Sequence, residues 1–171
     1  RAVVSHGHAD HARPGHGTVW ATPATLAVMR TRLGEAAFGR GVPLPYRRPI
    51  ALGDVRLWLA PAGHVLGSAQ VVLEHAGGRV VYSGDYKRRA DPTTEPFTPV
   101  RCDVFITEAT FGLPVFRQPP VAGEVAKLLA SLATFPERCH VVGAYALGKA
   151  QRLIAELRAH GYDRPVHLHG A

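Results

Sequence analysis

The sequence predicts a mixed α/β protein in which a strand-rich first half gives way to alternating helices. Three observations carry that expectation. Short apolar runs bounded by Gly, Pro and Asp recur between residues 2 and 106. Two runs of helical periodicity follow, Val121 to Phe135 and Ala146 to His160. The late order of strand, helix, strand is that of a parallel α/β unit.

Taken in order, Ala2 to Ser5 is apolar enough for a short buried strand that delivers a His-rich loop. Val19 to Thr22 predicts a second strand, and Thr22-Pro23 opens a helix, with Pro at its first position. Leu26, Met29 and Leu33 give that helix its apolar stripe, and Gly34 ends it. Residues 34 to 49, rich in Gly, Pro and Arg, predict a loop. Ile50 to Leu52 and Val55 to Leu59 flank Gly53-Asp54 as a hairpin; Ala69 to Glu74 and Arg79 to Tyr82 flank Gly77-Gly78 as another. A Pro- and Thr-rich stretch runs from Asp85 to Val100, ahead of the apolar Val104-Phe105-Ile106. Val125, Leu128, Leu129 and Leu132 mark the next helix, Val141 to Ala144 a strand, Ala146 to His160 a helix closed by Gly161, and Val166 to Leu168 a last strand. The cluster Gly112, Pro114, Pro119 and Pro120 divides the chain into residues 1–115 and 116–171.

Composition narrows the function classes. A hydrophobic content of 46% excludes an intrinsically disordered chain. Lys plus Arg number 20 against 13 Asp plus Glu, and the surplus of +7 favours polyanionic partners such as nucleic acid. Cys102 and Cys139 lie far apart without CxxC spacing, which excludes a disulfide framework or thiolate zinc knuckle and fits a reducing, cytoplasmic setting. No apolar run reaches the roughly 20 residues of a membrane span, and no secretory leader pattern opens the chain. The start at Arg1, running straight into Ala2-Val3-Val4 without an initiator Met, reads as a fragment.

Ten His residues are the unusual count, and His6, His8, His11 and His16 fall within eleven positions. In Ser5-His6-Gly7-His8-Ala9-Asp10-His11, four ligand-type side chains follow a buried strand within six residues. Imidazole and carboxylate suit Zn²⁺, and four such groups on one short loop point in different directions, so the loop can serve two adjacent metals. Gly7 and Ala9 leave room for the ions. A solvated His-rich turn is the bland reading, and H-x-H-x-D-H at a strand end outweighs it. His64 in Pro61-Ala62-Gly63-His64-Val65-Leu66-Gly67 and Asp85 in Ser83-Gly84-Asp85-Tyr86 each sit on a Gly-flanked loop after a strand. Alone, each reads as an ordinary loop residue; in series with the first loop they complete ligand sets. A carboxylate bridges metals well, and two metals about 3.5–4 Å apart acidify water enough to make a nucleophile near neutral pH.

These residues resemble the metallo-β-lactamase superfamily. His6-x-His8-x-Asp10-His11, His64 and Asp85 look like its second, third and fourth motifs. Thr107-Glu108-Ala109-Thr110-Phe111-Gly112 looks like the acidic motif that opens the β-CASP insertion of its nucleic-acid-processing branch. Ala144-Tyr145-Ala146-Leu147-Gly148-Lys149-Ala150-Gln151 resembles the strand-to-helix segment that follows. With His11-Ala12-Arg13-Pro14-Gly15-His16 and Gly84-Asp85-Tyr86-Lys87-Arg88, the likeness is greatest to the bacterial exonuclease-like group associated with an ATP-dependent DNA ligase. It implies a partial metallo-β-lactamase αββα sandwich over residues 1–115, lacking its N-terminal strands, and the start of a β-CASP α/β domain over 116–171. It implies two Zn²⁺, one held by His6, His8 and His64 and the other by Asp10, His11 and a bridging Asp85, in a phosphodiesterase acting on DNA ends. Asp10 and Glu108 are its implied catalytic residues, Glu108 orienting a His that assists the leaving oxygen. The family's first motif would precede Arg1 and its later His motifs would follow Ala171; His169 matches neither. An RNA-processing nuclease and a non-catalytic nucleic-acid-binding module are the alternatives.

Two further features bear on ligands. Gly143 to Ala150 fits G-x-x-x-x-G-K, but Ala150 stands where a P-loop needs a hydroxyl for Mg²⁺, so no nucleotide cofactor is expected, and Lys149 is read as an exposed residue able to touch a phosphate. Lys87, Arg88 and Arg89 follow Asp85 within four residues and are the expected phosphate contacts, whereas Arg13, Arg47 and Arg48 read as solvated loop residues. Tyr86 and Phe111 are able to stack on bases, although core packing is the commoner use.

Overall fold

The computed structural model describes residues 1–169. The chain divides into two compact units, residues 1–108 and the residues from Ala109 on.

In the first unit, β1 (Ala2–Val3), β2 (Thr18–Ala21) and β3 (Arg40–Pro43) form a parallel sheet in the order β1-β2-β3. Between β2 and β3 lies helix α1 (Pro23–Leu33), followed by the 3₁₀ turn Gly34–Ala37. Thr22 caps α1 by accepting from the Thr25 amide, as the Thr-Pro start predicts. One face of α1, through Leu26 and Met29, packs with Val19 and Ala21 of β2 and with Val4, Ala12 and Phe38. Strand β3 falls in the stretch expected to be loop. Its Arg-Gly-Val-Pro sequence has little intrinsic strand preference, but it is the edge of the sheet, where Pro43 is tolerated, and its pairing with β2 overrides local propensity.

The second sheet runs β4 (Ile50–Leu52), β5 (Val55–Pro61), β6 (Ala69–His75), β7 (Gly78–Tyr82), β8 (Val104–Ile106). Pairing is antiparallel up to β7 and parallel between β7 and β8. Both predicted hairpins form; the second turns at Ala76-Gly77, since His75 pairs with Gly78. Alternation along β5 decides the layers. Leu57 and Leu59, together with Leu44, Ala69 and Val71, meet Val3 of the first sheet, so this cluster lies between the sheets. Each such buried leucine contributes about 1.5–3 kcal/mol. Ala60 and Trp58 point the other way, onto Val72, Val81, Val100 and Cys102. Helix, sheet, sheet is thus the layering of the unit, in keeping with a partial αββα sandwich.

The second unit contains α2 (Val121–Thr134) and α3 (Lys149–Ala159), which contact one another. Helix α2 matches expectation. Helix α3 starts three residues late because Gly148, at φ 92°, lies outside the helical region. Residues 141–144 and 166–168 are not strands: Val141 and Val142 are exposed, and a strand without a neighbour to pair with has no ladder to hold it. No helix among the described residues is long and apolar enough to cross a membrane.

Candidate metal centre

Every ligand predicted in the first unit sits on a loop that leaves a strand. The loop after β1 carries His6, His8, Asp10 and His11; that after β5 carries His64; that after β7 carries Asp85. Sheet pairing brings the three loops to one end of the sandwich, where the Ala69 amide donates to the Ser5 carbonyl at 2.8 Å and ties the His-rich loop to β6.

Four donors converge. His6 Nε2 lies 3.1 Å from His8 Nδ1, His8 Nδ1 lies 3.2 Å from His64 Nε2, and Asp85 Oδ2 lies 3.5 Å from His64 Nε2 and 3.8 Å from His6 Nε2. All four ligand atoms fall within 4.8 Å of one another. A tetrahedral site with arms of about 2.0–2.1 Å has edges of roughly 3.3–3.4 Å, near the separations of 3.1 to 3.8 Å above, so the group is able to hold one divalent ion. The other Asp85 oxygen, Oδ1, lies 3.3 Å from His11 Nε2, which in turn is 3.5 Å from Asp10 Oδ2. One carboxylate therefore faces two donor groups.

Electrostatics suit ligation. Burial first, then repulsion from His11, His64 and His8, lowers the His6 pKa from 6.5 to about 2, so its imidazole is neutral and its lone pair free for an ion. Burial also lowers the pKa of His64, against the pull of Asp85 and Glu108. Glu108 is thus close enough for its charge to act on His64.

Residues the sequence reading missed hold this arrangement. The Ser5 hydroxyl lies 3.1 Å from His6 Nδ1 and 3.4 Å from His11 Nδ1, leaving both Nε2 atoms to face the centre. Ser68 Oγ accepts from the His64 and Val65 amides at 3.0 and 3.1 Å. The Thr22 and Thr25 hydroxyls both donate to the Gly67 carbonyl, at 2.7 and 2.9 Å, pinning the His64 loop to the start of α1. Arg32, at the far end of α1, donates to the Gly7 carbonyl inside the His-rich loop. Ser5 and Ser68 lie within six residues of the groups they hold, whereas Thr22, Thr25 and Arg32 are remote in sequence from theirs and no local motif signals them. Two glycines have no alternative: Gly63 (φ 71°) and Gly84 (φ 54°) precede His64 and Asp85, and a Cβ would lie 2.4 Å from the Lys87 carbonyl at the first and 2.7 Å from Ser5 Cβ at the second.

The predicted phosphate contacts differ in their surroundings. Lys87 pairs with Asp91, whose side chain is 3% exposed, and its ammonium also lies 3.5 Å from the His64 carbonyl. Burial alone would raise the Asp91 pKa, but hydrogen bonds from Lys87 and Thr93 outweigh it and hold the carboxyl below the usual carboxylate range. Lys87 is therefore engaged as a strut beneath the His64 loop. Arg88 and Arg89 are exposed. Tyr86 packs on Phe97 and Phe105, with ring centroids 5.3 and 6.3 Å away. In the second unit, Lys149 lies 4.7 Å from the Tyr145 ring, and the Gly148 amide donates to Gln151 Oε1.

No protein-family model matches the chain. Among curated proteins it is 35% identical over 179 residues, 99% of its length, to a protein of Opitutus terrae named "Probable DNA ligase". It is 31% identical over 190 residues, 95% of its length, to a ribonuclease of Thermus thermophilus, and 35% identical over 120 residues, 67% of its length, to the endoribonuclease ysh1 of Emericella nidulans. The chain spans 16%, 44% and 13% of these three relatives. The ordered ligand loops, the layered sheets that carry them and these relatives agree, and the chain belongs to the β-CASP branch of the metallo-β-lactamase superfamily.

Proposed function

We propose that the protein is a di-zinc phosphodiesterase that trims DNA ends in repair, in the manner of an exonuclease, and works with a DNA ligase. The observation that carries the reading is the Asp85 carboxylate, with Oδ2 toward His6 and His64 and Oδ1 toward His11. A donor set of His6, His8, His64 and Asp85 beside one of Asp10, His11 and Asp85 fits two ions sharing one ligand. When bound, such a metal pair supplies Lewis acidity to a phosphoryl group and to water.

The chain's own residues supply the rest. His6 is held neutral by burial and its neighbours, and burial shifts His64 in the same direction, so both favour the form that presents a lone pair. Asp10 has a side chain 72% exposed, at the open side of the cluster, where a phosphodiester is able to approach. Glu108, whose charge acts weakly on His64, is the residue we assign to orient a proton-transferring group. Exposed Arg88 and Arg89 offer cations to backbone phosphates near the metal loops, and Lys149 offers one on the second unit by itself. DNA is favoured because a protein named as a DNA ligase carries, over 16% of its length, a stretch 35% identical to this chain. Relatives named ribonucleases support RNA as the second substrate reading.

The test is metal analysis and cleavage by the full-length protein. Two zinc ions per chain and stepwise shortening of end-labelled DNA are expected. Cleavage of RNA alone selects the second reading, and fewer than one bound metal overturns the ligand assignment. Undiminished cleavage by Asp10→Ala or His64→Ala overturns the catalytic reading.

A further inference from the structure

His64 and Asp85 come to the metal centre on different loops, and one segment ties those loops together. The chain leaving Asp85 folds back along the His64 loop. The Lys87 amide donates to the Ala62 carbonyl at 2.9 Å, the Lys87 ammonium lies 3.5 Å from the His64 carbonyl, and the Thr94 hydroxyl donates to the Val65 carbonyl at 2.9 Å. Ser68 takes the amides of His64 and Val65, so the carbonyls around His64 fall to residues 87–94. Backbone on both flanks of the ligand is thereby held.

At the centre of this brace is an ion pair that no helix or strand accounts for, since residues 87–91 are irregular chain. The Asp91 side chain is 3% exposed; Oδ2 pairs with Lys87, and Oδ1 accepts from the Thr93 amide at 2.9 Å and the Thr93 hydroxyl at 2.6 Å. A carboxylate withdrawn from water is costly unless both its oxygens are met. A loop lysine, on a flexible stem with a strongly hydrated head, is ordinarily solvated. Lys87 is instead drawn back onto a buried partner, beside the carbonyl of a metal ligand. Burial lowers the His64 pKa, and the charges of His8 and Lys87 act in the same direction.

We propose that Lys87, anchored on Asp91 and backed by Thr94, is a positioning residue for the metal centre. It holds the His64 loop by the His64 carbonyl and sets the spacing between two ligands, His64 Nε2 and Asp85 Oδ2, which lie 3.5 Å apart. The inference rests on the metal-centre part of the nuclease reading, and it removes Lys87 from the residues that contact phosphate. Lys87 acts through backbone, while Arg88 and Arg89 are the exposed cations of the same segment.

The test uses full-length protein and four readouts: Zn²⁺ competition with a chromogenic chelator, the visible spectrum of the Co²⁺-loaded protein, a thermal melt, and anisotropy of a phosphorothioate oligothymidylate across a KCl series. Lys87→Met is expected to weaken Zn²⁺ about 10–100-fold and to change the Co²⁺ spectrum. It is also expected to lower the melting temperature, because the Asp91 carboxylate stays buried without its cation. Lys87→Met combined with Asp91→Leu is expected to regain the melting temperature but neither the affinity nor the spectrum, a split that a role in folding alone does not produce. The salt slope is expected to match the wild type, whereas loss of a phosphate contact on a single strand lowers it by about 0.7. If neither variant folds, Thr94→Val carries the comparison, with an expected loss of Zn²⁺ affinity of about 10-fold. Wild-type affinity and spectrum in the folded variants, or a salt slope lower by about 0.7, overturns the proposal. A wild type that binds Zn²⁺ yet cleaves neither DNA nor RNA refutes the nuclease reading, and the affinities and spectra still decide the role of Lys87.

Discussion

His11 Nε2 lies 3.3 Å from Asp85 Oδ1, on the side of the carboxylate turned away from His6 and His64. That relationship separates two donor groups while joining them through one side chain. Asp85→Asn keeps the shape but removes the charge that both groups share. It is expected to lower metal content to one ion or fewer and activity by more than about 100-fold, measured by elemental analysis and end-labelled cleavage. Two retained metals would refute the shared-ligand geometry.

The neutral state of His6 makes stability depend on pH. Its pKa is about 2 in the folded protein against 6.5 for an ordinary imidazole, so between these values the unfolded chain binds the extra proton. Stability is then complete above pH 6.5 and falls as the solution is acidified below it, at up to about 1.4 kcal/mol per pH unit for one such group. His64, also lowered, contributes with the same sign. Urea unfolding of metal-free protein at pH 7.5, 6.5 and 5.5 measures the slope, which is expected to be shallower in His6→Asn.

Thr25 is buried, and its hydroxyl donates to the Gly67 carbonyl at 2.9 Å. Thr25→Val preserves shape and removes the donor, at a cost of about 1–3 kcal/mol by thermal or urea unfolding. Thr22 still reaches the same carbonyl, so the His64 loop is expected to stay ordered and metal content to be retained.

Arg32 reaches from the end of α1 to the Gly7 carbonyl. Arg32→Ala releases the backbone between His6 and His8 and is expected to weaken metal affinity about 10–100-fold with little change in helix content. Competition with a chromogenic chelator reads the first, circular dichroism the second. Unchanged affinity would mean that the loop holds its shape without α1.

Gly84→Ala places a Cβ 2.7 Å from Ser5 Cβ at a φ of 54°, next to Asp85. Both Ser5, which holds two histidines, and Asp85 would have to move. Loss of metal with retention of cooperative unfolding is the expected pair of results, checked by elemental analysis and a thermal melt.

The ligand types were legible in sequence because each sits on a short loop directly after an apolar run: His6 after Val3-Val4, His64 after Leu59-Ala60-Pro61, Asp85 after Val80-Val81-Tyr82. Both hairpins and helices α1 and α2 were legible too, since turn residues, caps and apolar spacing act locally. Strand β3 was not, because its reason for being extended lies in β2. Residues 141–144 look like a strand by composition and are not one, because pairing requires a neighbour that composition cannot supply.

Local chemistry therefore identified which residues are able to bind metal, and long-range packing decided what surrounds them. The two faces of Asp85 and the supports from Thr22, Thr25 and Arg32 arise where segments remote in sequence meet, whereas Ser68 and the Lys87–Asp91 pair act within a few residues. Arg47 is of the former kind: it reads as a solvated loop cation along the chain, yet its guanidinium reaches Thr98 Oγ1 because the segment after Pro96 lies back across β5. Hydrogen bonding and charge act through space at a few ångströms, and only the folded chain sets which groups come within that range.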